Sequence, residues 1–97
     1  MKLEFTDDAR RDLFNAQDHY ENEREGLGRA FIEEMDRLAA QIAVMPMRFP
    51  AASNAPVRRA RGKRFPYQLL FHVFDDVVLI VGVLHEHQHP DTWKERS

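Results

Sequence analysis

Five cationic side chains fall within seven residues of the second half of the chain: Arg58, Arg59, Arg61, Lys63 and Arg64. Arginine suits phosphate and carboxylate groups because its planar guanidinium donates two parallel hydrogen bonds. The cluster therefore predicts contact with a phosphate, with an acidic segment of a partner protein or with an acidic patch on a target. A solvated hairpin tip is the alternative, because exposed charges are tolerated on most surfaces.

Three histidines alternate near the end of the chain: His85, His87 and His89. Alternate residues of a strand share a face, and zinc binds such imidazole clusters. Pro90 follows directly, however, and the chain contains no cysteine, so we expect neither a metal nor a cofactor. A single imidazole can act as general acid or base near neutral pH. Structural or partner-contacting histidines are the alternative.

Two aromatic residues are further candidates for contact with a partner. Tyr67 follows Pro66 at the start of an alternating segment, where its ring could stack on a base or its hydroxyl could act as an acid. Packing within a core or an interface is the alternative for this tyrosine. Trp93 is the one large apolar residue after residue 85, and we expect it to anchor the tail to the domain.

The composition predicts one cytoplasmic domain over residues 1–97. Its 43% hydrophobic and 31% charged residues are typical of a folded soluble protein rather than a disordered one. Cysteine is absent, which fits a reducing compartment. The first eight residues include early acids and no apolar run, so no signal peptide is predicted. The longest apolar run, residues 77–84, is far too short to cross a membrane.

The formal charge of −2 is unevenly distributed along the chain. Residues 1–45 hold six Lys and Arg against eleven Asp and Glu, a net of −5, whereas residues 46–97 hold eight against five, a net of +3. This asymmetry predicts two surfaces with different partners. The acidic half argues against a protein coated by nucleic acid, while the basic half permits a local phosphate contact.

Hydrophobic periodicity predicts an α+β fold. Apolar residues alternate in the first segment, repeat at steps of three and four in the next two, and alternate again in the last three: residues 2–6, 7–24, 27–45, 57–61, 65–74 and 77–85. Gly26-Leu27-Gly28 separates the two helices, and the short Asp75-Asp76 turn permits only antiparallel pairing of the strands it joins.

The expected architecture is an N-terminal strand, an antiparallel helix hairpin and a three-stranded antiparallel meander, β-α-α-β-β-β. The strand at 77–85 is apolar on both faces, so we place it at the centre of the sheet. The helix hairpin should cover one face of the sheet. The other face is then expected to be partly open and to hold a functional cleft.

Several short blocks occur in a family-like order: Ala9, Asp12-Leu13, Ala16, Tyr20-Glu21, Gly26-Leu27-Gly28, Phe31, Glu34, Pro46-Met47-Arg48-Phe49-Pro50, Arg58-Arg59, Arg64-Phe65-Pro66-Tyr67, His85, Pro90, Trp93 and Arg96. This ordered set spans almost the whole chain and resembles the RelE/ParE toxin superfamily, most closely its ParE-like branch. The resemblance implies a bacterial type II toxin, neutralised in a hetero-oligomer by a small antitoxin encoded beside it.

The resemblance leaves three functions open. ParE-type members poison DNA gyrase, RelE-type members cut messenger RNA on the ribosome, and a decayed toxin would only bind its antitoxin. The family pattern usually has an arginine where this chain has Gln88. Glutamine supplies no charge to a phosphate, so the sequence favours binding of gyrase over cleavage of RNA.

The candidate site residues follow from these alternatives. Under the nuclease alternative, an acid–base group and charge-stabilising groups are required, and the candidates are His85, His87, Arg59, Arg61 and Lys63. Contact with the target or the antitoxin is expected to involve Arg58, Arg59, Arg61, Lys63, Arg64, Tyr67, His89 and Trp93. An amphipathic helix or an extended segment of the antitoxin should bury apolar side chains and pair with the cations.

Overall fold

The computed structural model describes residues 1–52 and 56–88 of the chain. Its elements are β1 (Lys2–Phe5), α1 (Asp7–Glu23), α2 (Leu27–Val44), one turn of 3-10 helix (Pro46–Arg48), β2 (Arg58–Arg61), β3 (Tyr67–Phe74) and β4 (Val77–His85). The predicted element order is confirmed. The strand expected from residue 65 begins instead at Tyr67, because Phe65 and Pro66 belong to the β2–β3 loop.

The four strands form one sheet in the order β1-β4-β3-β2. The β2–β3 and β3–β4 pairs are antiparallel, which confirms the predicted meander. β1 joins β4 in parallel, and the chain between them, which holds both helices together with β2 and β3, supplies the long connection that parallel neighbours require. β4 therefore lies between β1 and β3, which explains why its residues are apolar on both faces.

Local sequence signals fix the start of the helix hairpin and the turn between its two helices. The Thr6 hydroxyl accepts the Ala9 N–H at 3.1 Å and caps α1, as the short polar side chain before the helix predicts. Gly26 has a φ of 87°, a left-handed conformation that glycine adopts at little cost. A Cβ on Gly28 would lie 2.7 Å from the Gln17 carbonyl oxygen. Glycine at that position therefore allows α2 to approach α1 closely.

The main core lies between the helices and one face of the sheet. Phe31, Met35 and Ile42 of α2 are at most 1% exposed, and they pack with Leu69 and Phe71 of β3. At about 25 cal/mol per Å² of buried apolar surface, full burial of each such side chain contributes about 1.5–3 kcal/mol. The helix hairpin thus covers the sheet face that the periodicity predicts. No helix of the described residues has the length and apolar character needed to cross a bilayer.

The opposite face carries a second, smaller core. Leu70 pairs with Gly82 while Phe71 pairs with Ile80, so Val81 forms a bulge in β4. The extra residue turns Val81 away from the helices, where it packs with Ala52, Val57, Leu70 and Leu84. Val57, Leu70 and Leu84 are at most 1% exposed. This part of the face is therefore packed, not the open cleft expected from the sequence.

Candidate functional site

The β2–β3 loop is held against α2 by one carboxylate. Glu34 accepts the backbone N–H groups of Lys63, Arg64 and Phe65 at 3.0–3.1 Å. A Cβ on Gly62 would lie 2.6 Å from Glu34 Oε2, so a larger residue would displace this contact. Glu34 thereby fixes the backbone that carries two of the predicted cations. Residue spacing does not predict this role of Glu34, because 29 to 31 residues separate the partners.

The side chains of the basic cluster do not form one site. The Arg58 guanidinium donates to the Phe49 carbonyl at 2.7 Å and so holds the chain that precedes β2. The Arg64 guanidinium lies 5.2 Å from the centroid of the Phe65 ring, within the range of a cation–π contact. Both side chains therefore make contacts within the fold as well as carrying a positive charge.

Arg59 and Arg61 project from the sheet face that lies away from the helices. Arg59 pairs with Leu70, and Arg61 pairs with Gln68. Paired residues of antiparallel strands share a face, and Leu70 belongs to the second core. The two arginines therefore border that core.

A groove of about 330 Å³ runs between α2 and the outer edge of β2, and we name it the α2–β2 groove. Its lining residues are Glu34, Arg37, Leu38, Gln41, Phe49, Arg61, Gly62 and Lys63. Within residues 1–52 and 56–88, the ion pairs all lie along α1. The groove cations therefore have no carboxylate partner in that part of the chain. Arg37 is not among the cations predicted from the sequence, because only the packing of α2 brings it to the basic hairpin.

Three rings lie in contact where β3 begins and β4 ends. The Tyr67 and His85 ring centroids are 5.3 Å apart, and those of His85 and His87 are 4.9 Å apart. The His87 backbone N–H donates to His85 Nδ1 at 3.2 Å, so neutral His85 carries its proton on Nε2. Burial, and then the charge of Asp12, raise the pKa of Tyr67. Tyr67 therefore stays protonated at neutral pH.

The carboxyl-terminal half of β4 borders a polar cavity of about 230 Å³ beside α1. β1 ends at Phe5, so α1 rather than a strand follows this edge of β4. Asp12 Oδ2 accepts the Val83 N–H at 3.0 Å, and Gln88 Oε1 accepts the His85 N–H at 2.8 Å. These side chains satisfy backbone donors that an added strand would otherwise pair. Gln88 stands where the family pattern usually has an arginine. Its side chain thus satisfies a backbone donor at this edge of β4.

The structure separates the residues proposed for RNA cleavage. His85 pairs with Tyr67, whereas Gln68 pairs with both Arg61 and Leu84. Successive residues of a strand lie on opposite faces, so the His85 ring and the side chains of Arg59 and Arg61 project from opposite faces of the sheet. His85 is brought together with His87 and Tyr67, and not with these arginines.

Two predicted contact residues, His89 and Trp93, lie outside the described residues. Among the residues that the structure describes, no group of three or more histidine or acidic side chains could hold a metal ion.

Comparison with known proteins places these features in a family. The family model described as ParE toxin of type II toxin–antitoxin system, parDE, matches residues 3–90. The chain is also similar to a solved structure of the chromosomal ParDE TA system from P. aeruginosa, with a TM-score of 0.78. The two share 18% sequence identity over 88% of this chain and 95% of the other, a likeness that supports the fold. No curated protein matches the sequence.

Proposed function

Because the chain belongs to the ParE family of type II toxins, we propose that it arrests growth by binding DNA gyrase and that a cognate antitoxin neutralises it. The target surface in this proposal is the face of β2 that carries Arg59 and Arg61. These arginines border the second core and lie on the edge strand of the sheet. A protein target can reach an edge strand without any rearrangement of the fold.

The separation of His85 from Arg59 and Arg61 is the observation that favours binding over cleavage. Hydrolysis of RNA through the 2′-hydroxyl requires an acid–base group and a charge-stabilising group at one phosphate, each within hydrogen-bond reach. Side chains on opposite faces of one sheet do not converge on one phosphate. Inhibition by binding requires no such convergence, so the arrangement is sufficient for it.

A ribosome-dependent nuclease is the second candidate, and one contact favours it. The Gly62 N–H donates to the Tyr67 carbonyl at 2.8 Å, which joins the loop of Lys63 and Arg64 to the strand that carries the ring contacts. In that alternative, His85 or His87 would act as the acid or base and Lys63 would stabilise the developing charge. Tyr67 is a poor acid here, because burial raises its pKa.

Alanine substitution of one histidine and one arginine separates the two candidates. Under the binding proposal, His85→Ala retains growth arrest, while Arg59→Ala weakens target inhibition about tenfold or more, since truncation of an arginine that acts as an interface hot spot costs about 2 kcal/mol or more. Growth after induction without antitoxin measures both effects. His19→Ala, which removes a surface histidine from α1, serves as the control.

Growth of the wild type and of the two variants distinguishes binding, nuclease and decayed-toxin functions. Loss of arrest in a folded His85→Ala variant, with arrest preserved in Arg59→Ala, contradicts the binding proposal and supports the nuclease. A wild-type chain that leaves growth unaffected contradicts both and indicates a decayed toxin that only binds its antitoxin.

A further inference from the structure

β1 is an edge of the sheet that no other strand of the described residues covers. The sheet order places β1 at one edge and β2 at the other. At the β2 edge, Ala51 forms a bridge to Arg58, and the Pro50 carbonyl accepts the Arg59 N–H at 3.0 Å. β1 is paired only on its β4 side, so its outer backbone groups can pair with a further strand.

The hydrogen bonds to β4 show which backbone groups of β1 point outward. The Lys2 N–H donates to the Asp76 carbonyl at 2.8 Å, and the Thr6 N–H donates to a β4 carbonyl at 2.9 Å. The backbone groups of every second residue therefore face β4. Successive residues of a strand direct these groups to opposite sides, so Leu3 and Phe5 present N–H and C=O groups at the outer edge.

The side chains of β1 alternate between apolar and charged. Leu3 and Phe5 point toward the helices, where Phe5 packs on the main core. Leu3 remains 37% exposed, and Met1, two positions earlier, is 47% exposed. Lys2 and Glu4 are exposed on the opposite face. The ion pairs of the described residues all lie along α1, so these two charges have no ionic partner in that part of the chain.

We propose that β1 pairs with β1 of a second copy of this chain, antiparallel and with the two Leu3 residues opposite each other. This register places Lys2 of each copy opposite Glu4 of the other, so two ion pairs form about the twofold axis. The Leu3 residues form a hydrogen-bonded pair. Lys2 and Glu4 form non-hydrogen-bonded pairs, in which opposite side chains lie closest together.

The charge pattern of β1 selects both this occupant and this register. Lysine on an edge strand commonly discourages pairing, because like charges from two copies approach each other. A twofold axis at Glu4 would oppose two glutamates, and an axis at Lys2 would oppose two lysines. With the axis at Leu3, opposite charges meet on one face and the exposed apolar side chains meet on the other. β1 is thus complementary to itself, as a symmetric interface requires.

Pairing at β1 leaves the proposed target surface accessible. β1 and β2 are opposite edges of the four-stranded sheet, so Arg59 and Arg61 of the two copies would lie at the two far ends of the joined sheet. The dimer would therefore present that surface twice. Its formation does not depend on which target the surface binds.

Charge reversal and charge exchange within β1 test the inference. Sedimentation equilibrium of the purified chain from about 5 µM to about 500 µM covers the affinities expected of a small interface. We expect wild-type dimers. We expect Lys2→Glu and Glu4→Lys each to raise the dimer Kd about tenfold or more, because either reversal creates two repulsive pairs. The double variant with both substitutions restores the ion pairs and should return the Kd to within about threefold of the wild type.

Arg24→Glu is the matched control, because it reverses an exposed charge at the end of α1 and changes the net charge as Lys2→Glu does. Its dimer Kd should change by less than about twofold, and the melting temperatures of all variants should stay close to that of the wild type. A wild-type chain that remains monomeric at the highest concentration overturns the inference. A dimer that the single reversals leave intact, or that the double variant fails to restore, also overturns it.

Amide hydrogen exchange distinguishes a second copy from another occupant of this edge. The Leu3 and Phe5 amides should exchange more slowly as the concentration of the chain rises, because they become bonded in the dimer. The Lys2 amide, already bonded to Asp76, should change little. Protection of Leu3 and Phe5 only after purified antitoxin is added would assign the edge to a strand of the antitoxin and overturn the inference.

Discussion

Replacement of Phe31 by alanine is expected to lower the free energy of unfolding by about 3–5 kcal/mol. The Phe31 side chain is fully buried. Its ring centroid lies 5.3 Å from that of Tyr20, 5.4 Å from Phe65 and 5.1 Å from Tyr67. These neighbours come from α1, the β2–β3 loop and β3, so movement of one element alone cannot fill the cavity that the substitution leaves.

Urea denaturation at constant pH measures the effect of Phe31→Ala. Phe14 of α1 is 54% exposed, and Phe14→Ala is the matched control, with an expected change within about 0.5 kcal/mol. If the alanine variant is unfolded before urea is added, Phe31→Leu supplies a graded substitution with an expected loss of about 1–2 kcal/mol. Equal losses at Phe31 and Phe14 would contradict the assignment of Phe31 to the main core.

The second large effect is expected at Glu34. Glu34→Ala leaves three backbone donors of the β2–β3 loop without their carboxylate acceptor. Water can replace part of the interaction, so the expected loss of unfolding free energy is roughly 1–3 kcal/mol in total. Amide hydrogen exchange of Lys63, Arg64 and Phe65 should accelerate at the same time.

The control for Glu34→Ala is the adjacent Glu33→Ala, which removes an exposed carboxylate from α2. Glu34→Gln keeps one acceptor oxygen and should give an intermediate result. Unchanged protection of the three loop amides in Glu34→Ala would show that the carboxylate does not hold the loop.

The periodicity of the chain predicts its elements because local contacts determine them. The caps and turns follow the same logic: Thr6 caps α1, and Asp75 adopts a φ of 48° in the turn between β3 and β4, a conformation that aspartate tolerates better than most residues. The bulge at Val81 could not be predicted, because a strand that is apolar on both faces gives no sign when its alternation shifts.

The candidate site was less predictable because long-range contacts build it. The alternation in β2 places Arg59 and Arg61 on one face, but only the register of β3 and β4 shows that His85 lies on the other. The contact from Asp12 to Val83 spans 71 residues. Arg37 reaches the groove through helix packing. The spacing of these residues along the chain does not predict such long-range contacts.

We propose that this chain inhibits growth by binding gyrase rather than by cutting RNA. Purified protein should be added to DNA gyrase with relaxed plasmid, while message length is followed in cells that express the same chain. We expect loss of supercoiling or trapped gyrase–DNA cleavage complexes, with full-length messages. Normal supercoiling together with messages truncated on translating ribosomes would contradict it.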